Sequence, residues 1–414
     1  MNLLYAQSGG VTAVINASAA GVIEAARAQS GRIGRVLAAR RGILGVLAED
    51  LYDTEGIDLT RLAATPGGAF GSSRFDLPEE AAQPALYDRI FAVFEAHGIS
   101  MLLYNGGNGS MDVIGRLSAS ARRRAYPLVC VGVPKTVDND IEGSDCCPGF
   151  GSAAKYLATS MREAGRDVAS MASPKGSLFV MEVMGRNVGW LAAATALAAR
   201  HPDEAPHLVL FPEVPFDEAA FLERVQAVVA RLGYCAVTVA EGIRRADGAL
   251  MMEQDRDDKG YVQLGGAGEA IVRLVYEGLG YKHHYASPDY LQRAAGHWVS
   301  AVDRDQALAV GRVAVELALA GRDGTMAAIR RLSEQPYTWD VVGVDAAGIA
   351  NLERRVPRAF ISADGMQLSE AGRRYLSPLI VGEVPVQCVD GLPDHLVLDC
   401  PLLQKELAPY ASLE

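Results

Sequence analysis

The stretch Pro134-Lys135-Thr136-Val137-Asp138-Asn139-Asp140 brings an ammonium, a hydroxyl and two carboxylates together within a few residues. Phosphoryl transfer to an alcohol needs this inventory. A cation stabilises the moving phosphoryl group, a carboxylate takes the hydroxyl proton, and acidic groups lie near a metal. The same residues also suit an Asx-rich turn with solvated charges, which Asp and Asn favour in any protein. On these residues alone both readings stand.

Two glycine-rich turns precede helical patterns. Gly9-Gly10 precedes the amphipathic stretch Val11–Ala28, and Gly106-Gly107-Asn108-Gly109 precedes the stretch from Ser110 to Leu117. Helix N-termini present free N–H groups and partial positive charge, and glycine lets phosphate oxygens approach the backbone. A single Gly-Gly is equally a plain βα turn. Neither turn fits the dinucleotide fingerprint G-x-G-x-x-G, and there is no G-x-x-x-x-G-K-[ST] loop, which disfavours a nicotinamide oxidoreductase. Gly265-Gly266-Ala267-Gly268 reads as a further helix-opening turn. Other polar clusters are Gly67–Arg74 with its single strong cation, Met184-Gly185-Arg186, and Glu241-Gly242. Tyr290-Leu291-Gln292-Arg293, with Lys282, His283 and His284 upstream, can clamp a sugar phosphate, because Arg binds phosphate bidentately. The two histidines are equally well read as exposed or capping residues.

These clusters need a scaffold, and the pattern around them supplies one. Short apolar or β-branched runs at Leu3–Ala6, Ser100–Tyr104, Leu128–Val133, Leu178–Val183, His207–Phe211 and Cys235–Ala240 read as strands. Ala-rich helical stretches, such as Val11–Ala28 and Phe216–Leu232, lie between them. Such alternation predicts α/β architecture: mainly parallel sheets with helices on both faces, and ligands at the C-terminal strand ends. Every polar cluster from Gly9 to Glu241 except the Gly67–Arg74 loop follows one of these strands. From about Arg331 the pattern breaks into short pieces punctuated by Pro and reads as a surface extension on the core.

The 414 residues suggest two or three domains, and 50% hydrophobic content supports a real core. A net charge of −11 disfavours nucleic-acid binding, and requires any phosphate site to be built locally from Lys, Arg and backbone N–H groups. Six dispersed cysteines form no C-x-x-C pair and read as reduced thiols. The N-terminus has no secretory pattern and no window suggests a membrane span, so a soluble, cytoplasmic protein is expected.

Taken in order, the motifs resemble the phosphofructokinase family, and most closely its pyrophosphate-dependent branch. The anchors are YAQSGGVTAVIN (Tyr5–Asn16), GGAFGSSR (Gly67–Arg74), YNGGNGS (Tyr104–Ser110) and VPKTVDND (Val133–Asp140). Further on come PGFGSAAK (Pro148–Lys155), EVMGRNVGW (Glu182–Trp190), AEG (Ala240–Gly242) and DYLQR (Asp289–Arg293). The resemblance implies two Rossmann-like three-layer domains. A phosphoryl-donor domain would take residues 1–145 and roughly 295–335, and a fructose 6-phosphate domain 146–294 and roughly 336–360. Residues 361–414 would pack on the core as an extension.

The resemblance also implies roles. Asp138 looks like the base for the sugar 1-hydroxyl, Asp140 supports that base and a Mg²⁺ ion, and Thr136 and Val137 line the reacting centre. Met184, Gly185 and Arg186 resemble the segment that holds the sugar, with Arg186 close to the chemistry. Glu241 would bind sugar hydroxyls, and Tyr290, Leu291, Gln292 and Arg293 would reach the 6-phosphate end. Gly10, Arg74, Gly107, Asn108, Gly109 and Lys135 would receive the donor. In the family a lysine at position 135 accompanies pyrophosphate, where ATP enzymes usually carry glycine. ATP enzymes typically read GGDG after the second strand, and pyrophosphate enzymes GGDD or GGGD. Asn108 and Gly109 depart from these patterns: one expected metal ligand becomes an amide, and the carboxylate that would block a nucleotide is missing. The donor expectation is therefore pyrophosphate, with ATP use or a non-catalytic phosphosugar-binding subunit as alternatives. A homodimer or higher homo-oligomer is expected, since the family completes its sugar site from a neighbouring subunit.

Overall fold

The computed structural model of the chain describes residues 1–252 and 265–410. It divides into two units. One comprises Met1–Ser152, Arg293–Glu353 and the chain from Gly382 onward; the other comprises Ala153–Gln292 and Arg354–Val381. The strands of their sheets, in chain order, are β1 (Asn2–Gln7), β2 (Val36–Ala39), β3 (Leu51–Asp53), β4 (Ile99–Gly106), β5 (Val129–Pro134), β6 (Ser177–Val183), β7 (Leu208–Leu210), β8 (Cys235–Ala240), β9 (Lys282–Ala286), β10 (Thr325–Glu334) and β11 (Tyr337–Asp345).

The first unit carries a seven-stranded sheet in the order β11-β10-β5-β4-β1-β2-β3. Pairing is parallel from β2 through β10, and the edge strands β3 and β11 run antiparallel. The central strands are apolar on both faces, as strands covered by helices on either side must be. Leu4, Leu37, Leu102, Cys130 and Met326 pack with Phe91, Phe94, Ile114 and Leu117 in one buried cluster. Register sets the site. Gln7 pairs with Asn105 and Gly106 with Pro134, so β1, β4 and β5 end level and their following loops start side by side.

The second unit is a four-stranded, wholly parallel sheet in the order β7-β8-β6-β9. Val183 pairs with Ala240, which places Met184 and Glu241 next to each other at the C-terminal edge. Mainly parallel sheets under helices are what the βα alternation predicts, and the six expected strands are all present.

Three details differ from the sequence reading. The helix after Gly9-Gly10 begins at Ile15 rather than Val11. Thr12 is already committed elsewhere: its carbonyl accepts Gly67 N–H at 3.2 Å and its hydroxyl accepts Val14 N–H at 3.3 Å. Residues 336–353 belong to the first unit because β11 pairs antiparallel with β10 along its length. The C-terminal region is not one extension: Arg354–Val381 belongs to the second unit and the chain from Gly382 to the first. No helix among the described residues is long and apolar enough to cross a membrane.

Candidate active site

In the first unit, three loops converge at the level ends of β1, β4 and β5. The Gly9-Gly10 turn is stitched to the Gly67–Arg74 loop, with Gly9 N–H donating to Ser73 O at 3.0 Å and the Ser72 hydroxyl donating to Gly9 O at 2.7 Å. A buried amide pair behind them fixes that loop. Asn16 Oδ1 accepts from Gln7 Nε2 at 3.1 Å and from Ala69 N–H at 3.0 Å, while its Nδ2 donates to Thr65 O at 2.8 Å. This stitching carries Arg74 to the turn. A methyl group on Gly10 would sit 3.0 Å from Arg293 Nη1 and 3.8 Å from Arg74 Nη2, so glycine is what leaves the backbone open between two guanidinium groups.

Lys135 completes the cluster. Its backbone N–H donates to Gly106 O at 3.0 Å, and its ammonium donates to Gly10 O. The side chain is only 2% exposed. Burial pulls its pKa down to about 8; Arg293 and Arg74 act the same way, while Asp138 and Asp140 oppose them. Three cations around a bare backbone turn form a local positive field, which favours a polyanion despite the acidic chain.

The third loop runs into a helix. Gly107 is the N-cap of the helix Asn108–Arg123, whose first turn offers free N–H groups next to Lys135. Asn108 Nδ2 donates to Asp140 Oδ2 at 3.0 Å, while its buried Oδ1 has no partner. At Gly109 an added Cβ would meet nothing within 4 Å. The acidic loop itself is folded locally: Thr136 Oγ1 accepts Asp138 N–H at 3.1 Å, and Asn139 sits at φ 57° with its Oδ1 accepting Cys147 N–H at 2.9 Å. Asp138 and Asp140 are half-buried, and Val137 is buried. Burial pushes the Asp140 carboxyl up, with Glu353 adding to the effect, while Thr136 and Asn108 counter it.

The second unit brings its own set together. Glu241 Oε1 accepts Gly185 N–H at 3.3 Å, and Gln292 Oε1 accepts Met184 N–H at 3.2 Å. Gly185 adopts φ +144°, and an added Cβ at Gly242 would lie 1.8 Å from Arg186 O, so both glycines are required by the turn that presents exposed Arg186. Burial raises the Glu241 carboxyl, opposed by Gly185 N–H and the Arg186 charge. Tyr290 and Leu291 are exposed, Gln292 is buried, and Arg293 is placed with Gly10 in the first unit. His283 and His284 stand exposed on the edge strand β9, the former against the Tyr276 ring at 5.4 Å.

Sequence reasoning did not single out the supporting residues. Buried Glu182 accepts from Gly266 N–H, Gly268 N–H and the Tyr285 hydroxyl at 3.0, 2.9 and 2.6 Å, which caps the helix Ala267–Leu279. Asp303 does the same at the start of the helix Phe150–Ser170, accepting from Gly149 and Ser152 N–H. The Ser300-x-x-Asp303 spacing marks the start of the helix Ala301–Leu319 but gives no signal that the Asp303 carboxylate reaches residues 149–152. Gln7 and Asn16 gave none beyond being amides in apolar surroundings.

Level strand ends, a helix N-terminus and a buried lysine among guanidinium groups define an α/β scaffold of the phosphate-handling class. A family model described as Phosphofructokinase matches residues 2–318, and the chain belongs to that family. A Methylococcus capsulatus protein named pyrophosphate--fructose 6-phosphate 1-phosphotransferase is 50% identical over all of this chain and 99% of its own length. A Xanthomonas campestris protein of the same name is 48% identical over 99% of both chains. The crystal structure of a pyrophosphate-dependent phosphofructokinase from Nitrosospira multiformis matches with a TM-score of 0.90 and 46% identity over 99% of both chains.

Proposed function

We propose that this chain is a phosphotransferase that moves a phosphoryl group reversibly between pyrophosphate and the 1-hydroxyl of fructose 6-phosphate, giving fructose 1,6-bisphosphate and phosphate. The observation that carries the donor is Lys135, buried beside Gly10 with Arg74 and Arg293. End-to-end similarity to relatives named for this reaction supports the acceptor.

In this reading Gly10, Arg74, Gly107, Asn108, Gly109 and Lys135 hold the donor. Lys135 also neutralises charge on the transferred and bridging oxygens. Asp138 takes the proton from the sugar 1-hydroxyl, with its loop shaped by Thr136. Met184, Gly185, Arg186, Glu241, Tyr290, Leu291 and Gln292 hold the sugar phosphate. The position of Arg293 beside Gly10 supports a contact with donor phosphates rather than with the sugar's 6-phosphate alone.

The residues fit a Mg²⁺ ion. The unpartnered Asn108 Oδ1 lies on the amide that also meets Asp140, and hard oxygen ligands of this kind suit a cation that keeps most of its waters. When bound, the ion would neutralise phosphate charge. A cytoplasmic homodimer or higher homo-oligomer completes the reading.

ATP is a second possible donor, favoured by the open space at Gly109. Phosphorus NMR of purified protein with Mg²⁺, fructose 6-phosphate and pyrophosphate tests the proposal. A growing sugar 1-phosphate resonance, and its reversal on adding phosphate to fructose 1,6-bisphosphate, is expected. Unchanged spectra with pyrophosphate would overturn it.

A further inference from the structure

The loop that carries the proposed base is held from behind. Thr136 N–H donates to Pro148 O at 3.3 Å, Thr136 forms a parallel bridge with Gly149, and Cys147 N–H donates to Asn139 Oδ1. The shape of the loop Lys135–Asp140 therefore depends on where residues 147–149 sit. That segment in turn hangs on one carboxylate, Asp303, in the first turn of the helix Ala301–Leu319. Asp303 Oδ1 accepts Gly149 N–H at 2.9 Å, and Oδ2 accepts Ser152 N–H at 2.9 Å and the Ser152 hydroxyl at 2.5 Å. The Ser152 hydroxyl also accepts Ser300 N–H at 3.2 Å, which closes the network. Asp303 is 2% exposed, far more buried than a carboxylate placed for solubility.

We propose that Asp303 is a positioning residue for the transfer step: through Gly149 and Thr136 it fixes the loop that presents Asp138. This rests on the transferase reading above. A buried carboxylate saturated with backbone donors is rigid, because moving it would strand several N–H groups at once. Asp303 touches neither substrate in this account, so its loss acts on turnover and leaves fructose 6-phosphate binding alone. Misplacing a base by an ångström weakens catalysis strongly.

The test compares the wild-type protein with Asp303→Asn and Ser152→Ala. Asp303→Asn keeps the shape but puts an amide NH₂ where N–H donors converge; Ser152→Ala removes a single donor and keeps the carboxylate. The expected result for Asp303→Asn is kcat down roughly tenfold to a hundredfold, with the KM for fructose 6-phosphate and the calorimetric stoichiometry of its binding unchanged. Ser152→Ala should give a smaller fall of the same kind, and it keeps the proposal testable if Asp303→Asn does not fold. Turnover unchanged in folded variants, or falling only in proportion to lost binding stoichiometry, overturns the positioning role. A wild-type protein with no turnover defeats the transferase reading instead, which is a separate outcome.

Discussion

The Lys135 ammonium donates to the carbonyl oxygen of Gly10, a residue 125 positions earlier in the chain. This contact joins the loop after β5 to the loop after β1, and it places one charge where both Arg74 and Arg293 also point.

Lys135 titrates near pH 8 because it is buried among cations. Bound pyrophosphate adds negative charge beside it and favours the protonated form, so donor binding should weaken as pH rises through about 8. In the unliganded protein the sign for folding is opposite. Between about 8 and the ordinary lysine value of 10.5 the unfolded chain holds a proton that the folded chain has lost, so this group's contribution to stability rises with pH. The KM for pyrophosphate measured on either side of pH 8 should climb on the alkaline side. Lys135→Met should flatten that profile and lower turnover by roughly a hundredfold.

Asp138→Ala should reduce kcat by roughly 10²–10⁴-fold while fructose 6-phosphate binding persists. Steady-state kinetics paired with calorimetric titration of the sugar phosphate checks both halves. Undiminished turnover would remove Asp138 from the role of base.

Gly109 lies in the first turn of the helix Asn108–Arg123 with empty space where its side chain would be. Gly109→Asp should fold normally and suppress any ATP use while pyrophosphate use continues. Donor-dependent rates of the variant and parent decide it, and ATP use that survives unchanged would misplace the nucleotide.

Most of the site was legible because it follows from strand ends. The six strands appear in the sequence as apolar runs, and each cluster from Gly9 to Glu241 except Gly67–Arg74 follows one directly. Arg74 was legible only by motif, since its approach to Gly10 depends on bonds from Ser72 and Ser73. The hairpin of β10 and β11 was hidden because its outer strand is only half-buried and lacks a strong alternation. Asp303 and Glu182 were hidden for another reason. A carboxylate that caps distant N–H groups looks the same in sequence as one that faces water.

The C-terminal segment shows the same limit. Glu49, 1% exposed, accepts Glu406 N–H at 2.6 Å, Leu407 N–H at 3.1 Å and His97 at 2.9 Å. Burial would raise this carboxyl, but the Glu406 and Leu407 N–H groups and His97 outweigh it and hold it below its usual value. Its stabilisation is therefore full at neutral pH and is lost as pH falls through the depressed value. Glu49 also lies 3.6 Å from the Arg89 guanidinium, so Glu49→Gln should cost about 3 kcal/mol, as expected when one member of a buried ion pair is removed. Hydrogen exchange at residues 402–410 should speed up in the variant, and in the parent on acidification. Unchanged protection would show that Glu49 does not hold the segment.

Lys135 and its neighbouring cations point to pyrophosphate as the donor. Initial rates at saturating fructose 6-phosphate and Mg²⁺, with pyrophosphate and ATP compared as donors on the same preparation, test it most directly. Turnover with pyrophosphate is expected to lie well above that with ATP. Turnover with ATP alone, or with neither donor, would contradict it.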